Sequence, residues 1–258
     1  MAINEIFPHP TVKSVVFQVR FPALFTMESL IGEYQMRVMK RFPQSALLTR
    51  RGLFFAELGP KDKAEVPEPL KEDLATKKIW NFKSEDGVTL NVMTDSLDIS
   101  SEAHKTYNNQ GSPIRFRDVI EFAISNFLAV TKLAIFTRIG LRYIDDCPLP
   151  AKENEAFSSW YNTSFPIIRF PIQDTEQMLF NCLVKRGDYS LQYTESLTQG
   201  ENKFQYTQDY DAFATRVNAE NYLSVTDKLH DLLVAEFEKS IKQPVYEHMR
   251  RNDQGAKT

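Results

Sequence analysis

The chain has 258 residues, 42% of them hydrophobic and 25% charged, a composition that supports one large globular domain or two fused modules and argues against disorder away from the ends. Its net charge is -3 and its isoelectric point about 5.9, so no overall field draws in nucleic acid or an anionic membrane, although a local basic patch stays compatible with it. No apolar run reaches the length of a membrane span, and the start MAINEIFPHP lacks a basic region followed by an apolar stretch, so a cytoplasmic protein is expected.

The two cysteines, Cys147 and Cys182, form neither a disulfide framework nor a metal-ligand spacing, and both read as reduced structural thiols. In chain order, residues 13–21 (KSVVFQVRF) alternate as a strand, with Val15, Phe17, Val19 and Phe21 on one face and Ser14, Gln18 and Arg20 on the other. Thr26 is placed to cap a helix in which Met27, Leu30, Ile31, Tyr34 and Val38 recur at helical spacing, ending near Arg41 and Pro43. Residues 46–49 and 53–58 follow as a hairpin turning at Arg50, Arg51 and Gly52. Residues 59–78 hold three prolines and mixed charge with little apolar periodicity, and read as a mobile excursion.

Three strands come next, at 79–83, 88–93 and 97–101, the first two joined by the turn Ser84-Glu85-Asp86-Gly87. Their alternation sets Trp80 and Phe82 against Val88, Leu90 and Val92 on one face. Ser112 and Pro113 mark a helix start, and Phe116, Val119, Ile120, Ala123, Ile124, Phe127 and Leu128 form a wide apolar stripe. That helix runs into the longest strand-like stretch, residues 134–145 (AIFTRIGLRYID). Here Ile139, Leu141 and Tyr143 share one face, while Arg138 and Arg142 share the other with Gly140 between them. The missing side chain at Gly140 leaves room for another backbone, a ring or a ligand to approach.

Past Pro148 and Pro150 the order repeats. A short helix at 153–160 precedes strands at 175–185, 189–194 and 204–210, the first two joined by Arg186-Gly187-Asp188. A final helix carries Val225, Leu229, Leu232, Leu233, Phe237 and Ile241, with Ser224 and Asp227 in the relation of a capping box, and stops before Pro244. A shift of 110 residues carries Phe127 onto Phe237, Val119 onto Leu229 and Ala123 onto Leu233. The chain thus reads as a tandem duplication of a strand, helix, antiparallel strands, helix module, with halves at 1–133 and 134–258 forming one unit. The fold class expected is α+β, a largely antiparallel sheet with helices on one face.

The N-terminal VVFQVRFP, the tryptophan strand IWNF, the central TRIGLRYID and the final FEKSI together resemble a sporadically distributed family of uncharacterised prokaryotic proteins of about this length. The resemblance covers nearly the whole chain and is most specific at the central signature. Members often carry asparagine at the position of Asp145, so the resemblance gives that residue no catalytic role. It brings no activity, cofactor or catalytic residue, but its patchy occurrence is similar to that of mobile-element and defence-associated genes.

Several constellations carry sharper readings. Asp145 and Asp146 end the central strand, but neighbouring residues on an extended chain point apart, so chelation needs further ligands such as Asp98 or Asp209, and turn capping and solvation is the preferred role. His9, His104, His230 and His248 have no spacing that suggests zinc or a catalytic relay. RGLFFAEL at 51–58 approximates the stacking strand of RNA-recognition modules, yet the expected second helix is missing and the acidic balance opposes it. Arg138 and Arg142, joined by Arg20 from the other half, either clamp a carboxylate or phosphate or pair with acids on neighbouring strands and fix register; the second reading is preferred.

The function these residues favour is a non-enzymatic module that binds a protein partner through the open sheet face or the 59–78 excursion; the resemblance implies a defence or toxin-associated setting. The alternative is a binder of, or enzyme acting on, an anionic small molecule such as a nucleotide, held at Arg138 and Arg142. A homodimer through a sheet edge or the last helix is also compatible with the pattern. No cofactor, metal, nucleic acid or membrane is expected.

Overall fold

The computed structural model describes residues 7–51, 76–108, 114–199 and 204–251. Its elements, in order, are β1 (Val12–Arg20), α1 (Met27–Val38), β2 (Gln44–Arg51), β3 (Thr76–Lys83), β4 (Val88–Val92), β5 (Ser96–Ser101) and α2 (Phe116–Thr131). There follow β6 (Ile135–Cys147), α3 (Asn154–Trp160), β7 (Gln177–Arg186), β8 (Tyr189–Gln199), β9 (Phe204–Asn218), α4 (Tyr222–Ser240) and α5 (Gln243–Arg250).

The nine strands form one sheet in the order β2-β3-β4-β5-β1-β6-β9-β8-β7, and every neighbouring pair is antiparallel. Counted outward from the central pair, β1 is flanked by β5, β4 and β3 and β6 by β9, β8 and β7, so each first strand lies beside the last strand of its own half. The register sets Gln18 opposite Gly140, Arg20 opposite Arg138 and Val16 opposite Arg142.

Alternation decides what each strand buries. Val15, Phe17 and Val19 of β1, Leu90 and Val92 of β4, Ile139 and Leu141 of β6 and Ala212 of β9 are all buried on the inward face. Against them pack α1, α2 and α4, whose apolar stripes recur at helical spacing. Six residues of the α2 stripe, Phe116, Val119, Ile120, Ala123, Ile124 and Phe127, are fully buried, each large one contributing about 1.5–3 kcal/mol. Tyr34 of α1 donates its hydroxyl to the Ala123 carbonyl at 3.1 Å and meets Phe82 and Phe127 edge-on. A second apolar cluster lies further along the same face, where α3 and α5 cover Cys147, Leu197 and Tyr206. Among the described residues the helices thus occupy one face, and the other is uncovered sheet. No helix there is long and apolar enough to cross a membrane.

Several expectations need adjustment. β2 pairs with β3 along its length, Gln44 opposite Lys83 through Arg51 opposite Thr76; the expected strand at 53–58, its RGLFFAEL reading and most of the 59–78 excursion lie outside the described residues. The end of that excursion is strand, because Lys77 and Lys78 bond Asp95 and Glu28 as β3 runs back into the sheet. Ser112 and Pro113 also lie outside the described residues, while α2 starts where the Arg115 backbone N–H and guanidinium both donate to the Asp118 carboxylate. Ser224 does not cap α4, which begins at Tyr222; its hydroxyl donates to the Asn221 carbonyl inside the first turn. β9 runs eight residues beyond the expected end at Tyr210, and a fifth helix follows a break at Ile241, with Pro244 in its first turn where no N–H is needed.

Candidate functional site

The uncovered face is built from the polar residues of each strand's alternation. From β3 to β5 it carries a hydrogen-bonded row: Asn81 Nδ2 donates to Asn91 Oδ1 at 2.7 Å, and Asn91 Nδ2 to Asp98 Oδ2 at 2.9 Å. Asp98 stands directly opposite Gln18, and burial raises its carboxyl pKa while the Asn91 bond opposes the rise. Gln18 Oε1 then accepts from Arg20 Nε at 3.1 Å and from Arg138 Nη1 at 3.3 Å. Two of the three candidate arginines are therefore joined at one amide oxygen.

Arg138 does more than that. Its Nη2 donates to both carboxylate oxygens of Asp211 at 2.7 Å, and the guanidinium lies 4.6 Å from the ring centre of Phe213. It also crosses Gly140, where a Cβ would overlap Nη1. The room at Gly140 is thus filled by the chain's own arginine. Arg142, more exposed, donates from Nε to Asp209 Oδ1 at 2.8 Å and from Nη2 to Oδ2, which raises its pKa. Asp211 is pushed up by burial, with Arg138 and Arg142 pulling the other way. Both arginines therefore meet aspartates on β9, Arg142 in the fork geometry that guanidinium and carboxylate share and Arg138 through the single Nη2. These aspartates sit beyond or at the edge of the strand expected from the pattern, and for that reason the pattern names no partners for the arginines.

The remaining acids and histidines are dispersed. Asp145 points inward, is 2% exposed and accepts from Thr11 Oγ1 at 2.7 Å; burial pushes its carboxyl up to about 7. Asp146 points the other way and accepts from Gln205 Nε2 at 3.3 Å. Among the described residues no group of three or more His, Cys, Asp or Glu is arranged to hold a metal.

His104 bonds the Ile114 carbonyl through Nε2 at 3.0 Å, so its Nδ1 accepts from Ser101 Oγ at 2.8 Å. This resembles a nucleophile and its base, but Ser101 is 2% exposed. Its hydroxyl also accepts the His104 backbone N–H, and the arrangement ties a loop to β5.

Two networks leave no trace in the sequence pattern because each joins segments that are distant along the chain. In one, the Tyr143 hydroxyl accepts the Tyr107 N–H at 3.0 Å and meets His230 Nδ1 at 3.1 Å. Tyr107 in turn donates to Asp227, which Arg117 holds with two bonds of 2.8 and 2.9 Å. Burial lowers the His230 pKa, so the neutral ring is the acceptor. In the other, buried Glu195 accepts from Thr163, from the Ser164 N–H at 2.9 Å and from Tyr206 at 2.7 Å. Gln208, Tyr210 and Ser240 continue that chain of bonds. A groove of about 740 Å³ opens at the end of β6, lined by residues including His9, Thr11, Lys152, Phe204 and His248; the Lys152 ammonium lies 3.8 Å above the Phe204 ring. Neither Arg138 nor Arg142 lines it.

No protein-family model, no curated protein and no solved structure matches this chain.

Proposed function

We propose that the chain is a non-enzymatic interaction module acting in the cytoplasm, which binds a protein partner over the uncovered face of its sheet as an accessory, inhibitor or immunity subunit of a defence or toxin-associated system. The observation that carries this reading is the state of the candidate cations: Arg138 and Arg142 are already held by Asp211 and Asp209 on the uncovered strand surface. An anionic small molecule at these arginines would have to displace two carboxylates that already hold them. A protein surface needs no such displacement, because it meets a face whose amides, hydroxyls and ion pairs are already fixed in place. The strand order, with each half running outward from β1 or β6, supports descent from a tandem duplication with halves at 1–133 and 134–258, and the shared central signature supports the family resemblance.

The test is capture of the tagged full chain from its own host at native expression, followed by native mass spectrometry, for the natural protein and for Thr194→Arg with Thr207→Arg. Both threonines stand on the uncovered face. A stoichiometric protein that is lost from the variant, with the thermal midpoint unchanged, is the expected result. A bound small anion lost on Arg138→Gln with Arg142→Gln would favour the alternative, and a partner retained by the threonine variant would place its contact elsewhere.

A further inference from the structure

We propose that the protein pairs with a second copy of itself through β7, edge to edge, across a two-fold axis at Asn181. This goes beyond the interaction-module reading, because the edge of β7 is a surface separate from the uncovered face. Among the described residues β7 is the end of the sheet, paired only with β8, so its outer row of backbone N–H and C=O groups has no strand beside it. Natural edges of this length are commonly blunted by a proline, a bulge or a charge in mid-strand. β7 has none: it reads QMLFNCLVKR over ten residues, with its charges at the C-terminal end and Glu176 just before it. Leu179 and Leu183 on its outer-facing alternation are 65% and 61% exposed and flank Asn181.

Geometry limits the choice of register. A two-fold axis normal to the sheet keeps each side chain on its own face, so only registers centred on a residue are allowed. Centred on Phe180, the pairing sets Leu179 opposite Asn181 and Leu183 opposite Gln177. Centred on Cys182, it sets Leu179 opposite Lys185. Centred on Asn181, it sets Leu179 opposite Leu183 of the second copy, twice by symmetry, and Met178 opposite Val184. The same register brings Glu176 opposite Arg186, whose guanidinium Glu236 also holds at 2.9 Å, so opposite charges close both ends of the ladder. Of the three registers, the one at Asn181 alone matches apolar with apolar and acid with base, and cross-strand pairs of these kinds stabilise a sheet. The product is a continuous sheet through both copies.

Light scattering on the full chain should report a dimer, and Leu179→Lys with Leu183→Lys should report a monomer with an unchanged thermal midpoint, since both side chains are exposed. In a Cys182→Ser background, Asn181→Cys should be joined to its copy by a short thiol crosslinker, and a mixture of Leu179→Cys and Leu183→Cys chains should be joined to each other. Leu183→Cys alone should stay uncrosslinked. A monomeric natural protein, a dimer that survives the two lysines, or equal crosslinking of Leu183→Cys to itself would overturn the proposal. Each of these outcomes leaves the test of the uncovered face unaffected, so the two readings fail separately.

Discussion

The guanidinium of Arg138 lies across Gly140, two residues along its own strand, and is held there by Gln18 on one neighbouring strand and Asp211 on the other. A glycine that the bare pattern leaves as an open approach is the seat of an arginine that ties β1, β6 and β9 together. The absence of a side chain and the presence of the ion pair are one feature.

Gly140→Ala should therefore act through Arg138. Its methyl group has to displace the guanidinium from a backbone neighbour, which breaks the contacts to Gln18 and Asp211 and should destabilise the fold by about 1–3 kcal/mol. Urea unfolding of Gly140→Ala, Arg138→Ala and the double variant checks this. The double variant should be little worse than Arg138→Ala alone, and simple additivity would show that the two residues act independently.

The two arginine pairs should differ in strength. The side chains of Arg138 and Asp211 are 15% and 28% exposed, whereas that of Arg142 is 44% exposed. Arg138→Ala leaves a largely buried carboxylate without its main partner and should cost about 3 kcal/mol, partly restored by Asp211→Asn. Arg142→Ala should cost less, about 1 kcal/mol, because water reaches the 44% exposed Arg142 side chain although Asp209 is only 19% exposed. Denaturant midpoints measured in low and high salt separate the two.

Asp145 should make stability fall as pH rises. Its carboxyl titrates near 7 when folded and at the ordinary value of 3.8 when unfolded. Between those values the folded chain keeps a proton that the unfolded chain has released, so folding weakens with rising pH across that window. Asp145→Asn retains an acceptor for the Thr11 hydroxyl and removes this titration. The variant should match the natural protein near pH 4 and exceed its stability by a margin that grows towards neutral pH, by about 1.4 kcal/mol for each step of one in pH. Unfolding curves across that range measure the margin, and a constant offset would remove the assignment.

His230 should act in the opposite direction. Burial lowers its folded pKa below the ordinary 6.5, with Asp231 and Asp227 opposing the shift. The unfolded chain then takes up a proton that the folded one refuses, so stability is full above that value and declines as pH drops below it. His230→Asn, which offers the Tyr143 hydroxyl an acceptor in place of Nδ1, should flatten this part of the decline. The slope of stability against pH in the two proteins tests it.

Much of the architecture is legible from periodicity. Alternation in 13–21, 88–93 and 134–145 names the buried faces of β1, β4 and β6, and the stripe from Phe116 to Phe127 names the buried face of α2, because side chains on one face of a strand or helix recur at fixed spacing. The end of β9 is not legible in this way because Asp211, just past the expected end at Tyr210, breaks the look of a strand. The carboxylates of Asp209 and Asp211 are held by Arg142 and Arg138, which reach them diagonally from β6.

The sequence by itself determined which faces are apolar and that Arg138, Arg142 and Arg20 share a polar one, since both follow from the pleat. Only the tertiary structure decided that β9 lies beside β6, so that two arginines meet two aspartates, and that His230 meets Tyr143 and Glu195 meets Thr163 and Tyr206. Hydrogen bonds and ion pairs act over a few ångströms in space, and the residues that make them here are separated by tens of positions along the chain. Strand neighbours are chosen by the packing of whole helices onto the sheet, which no local pattern records.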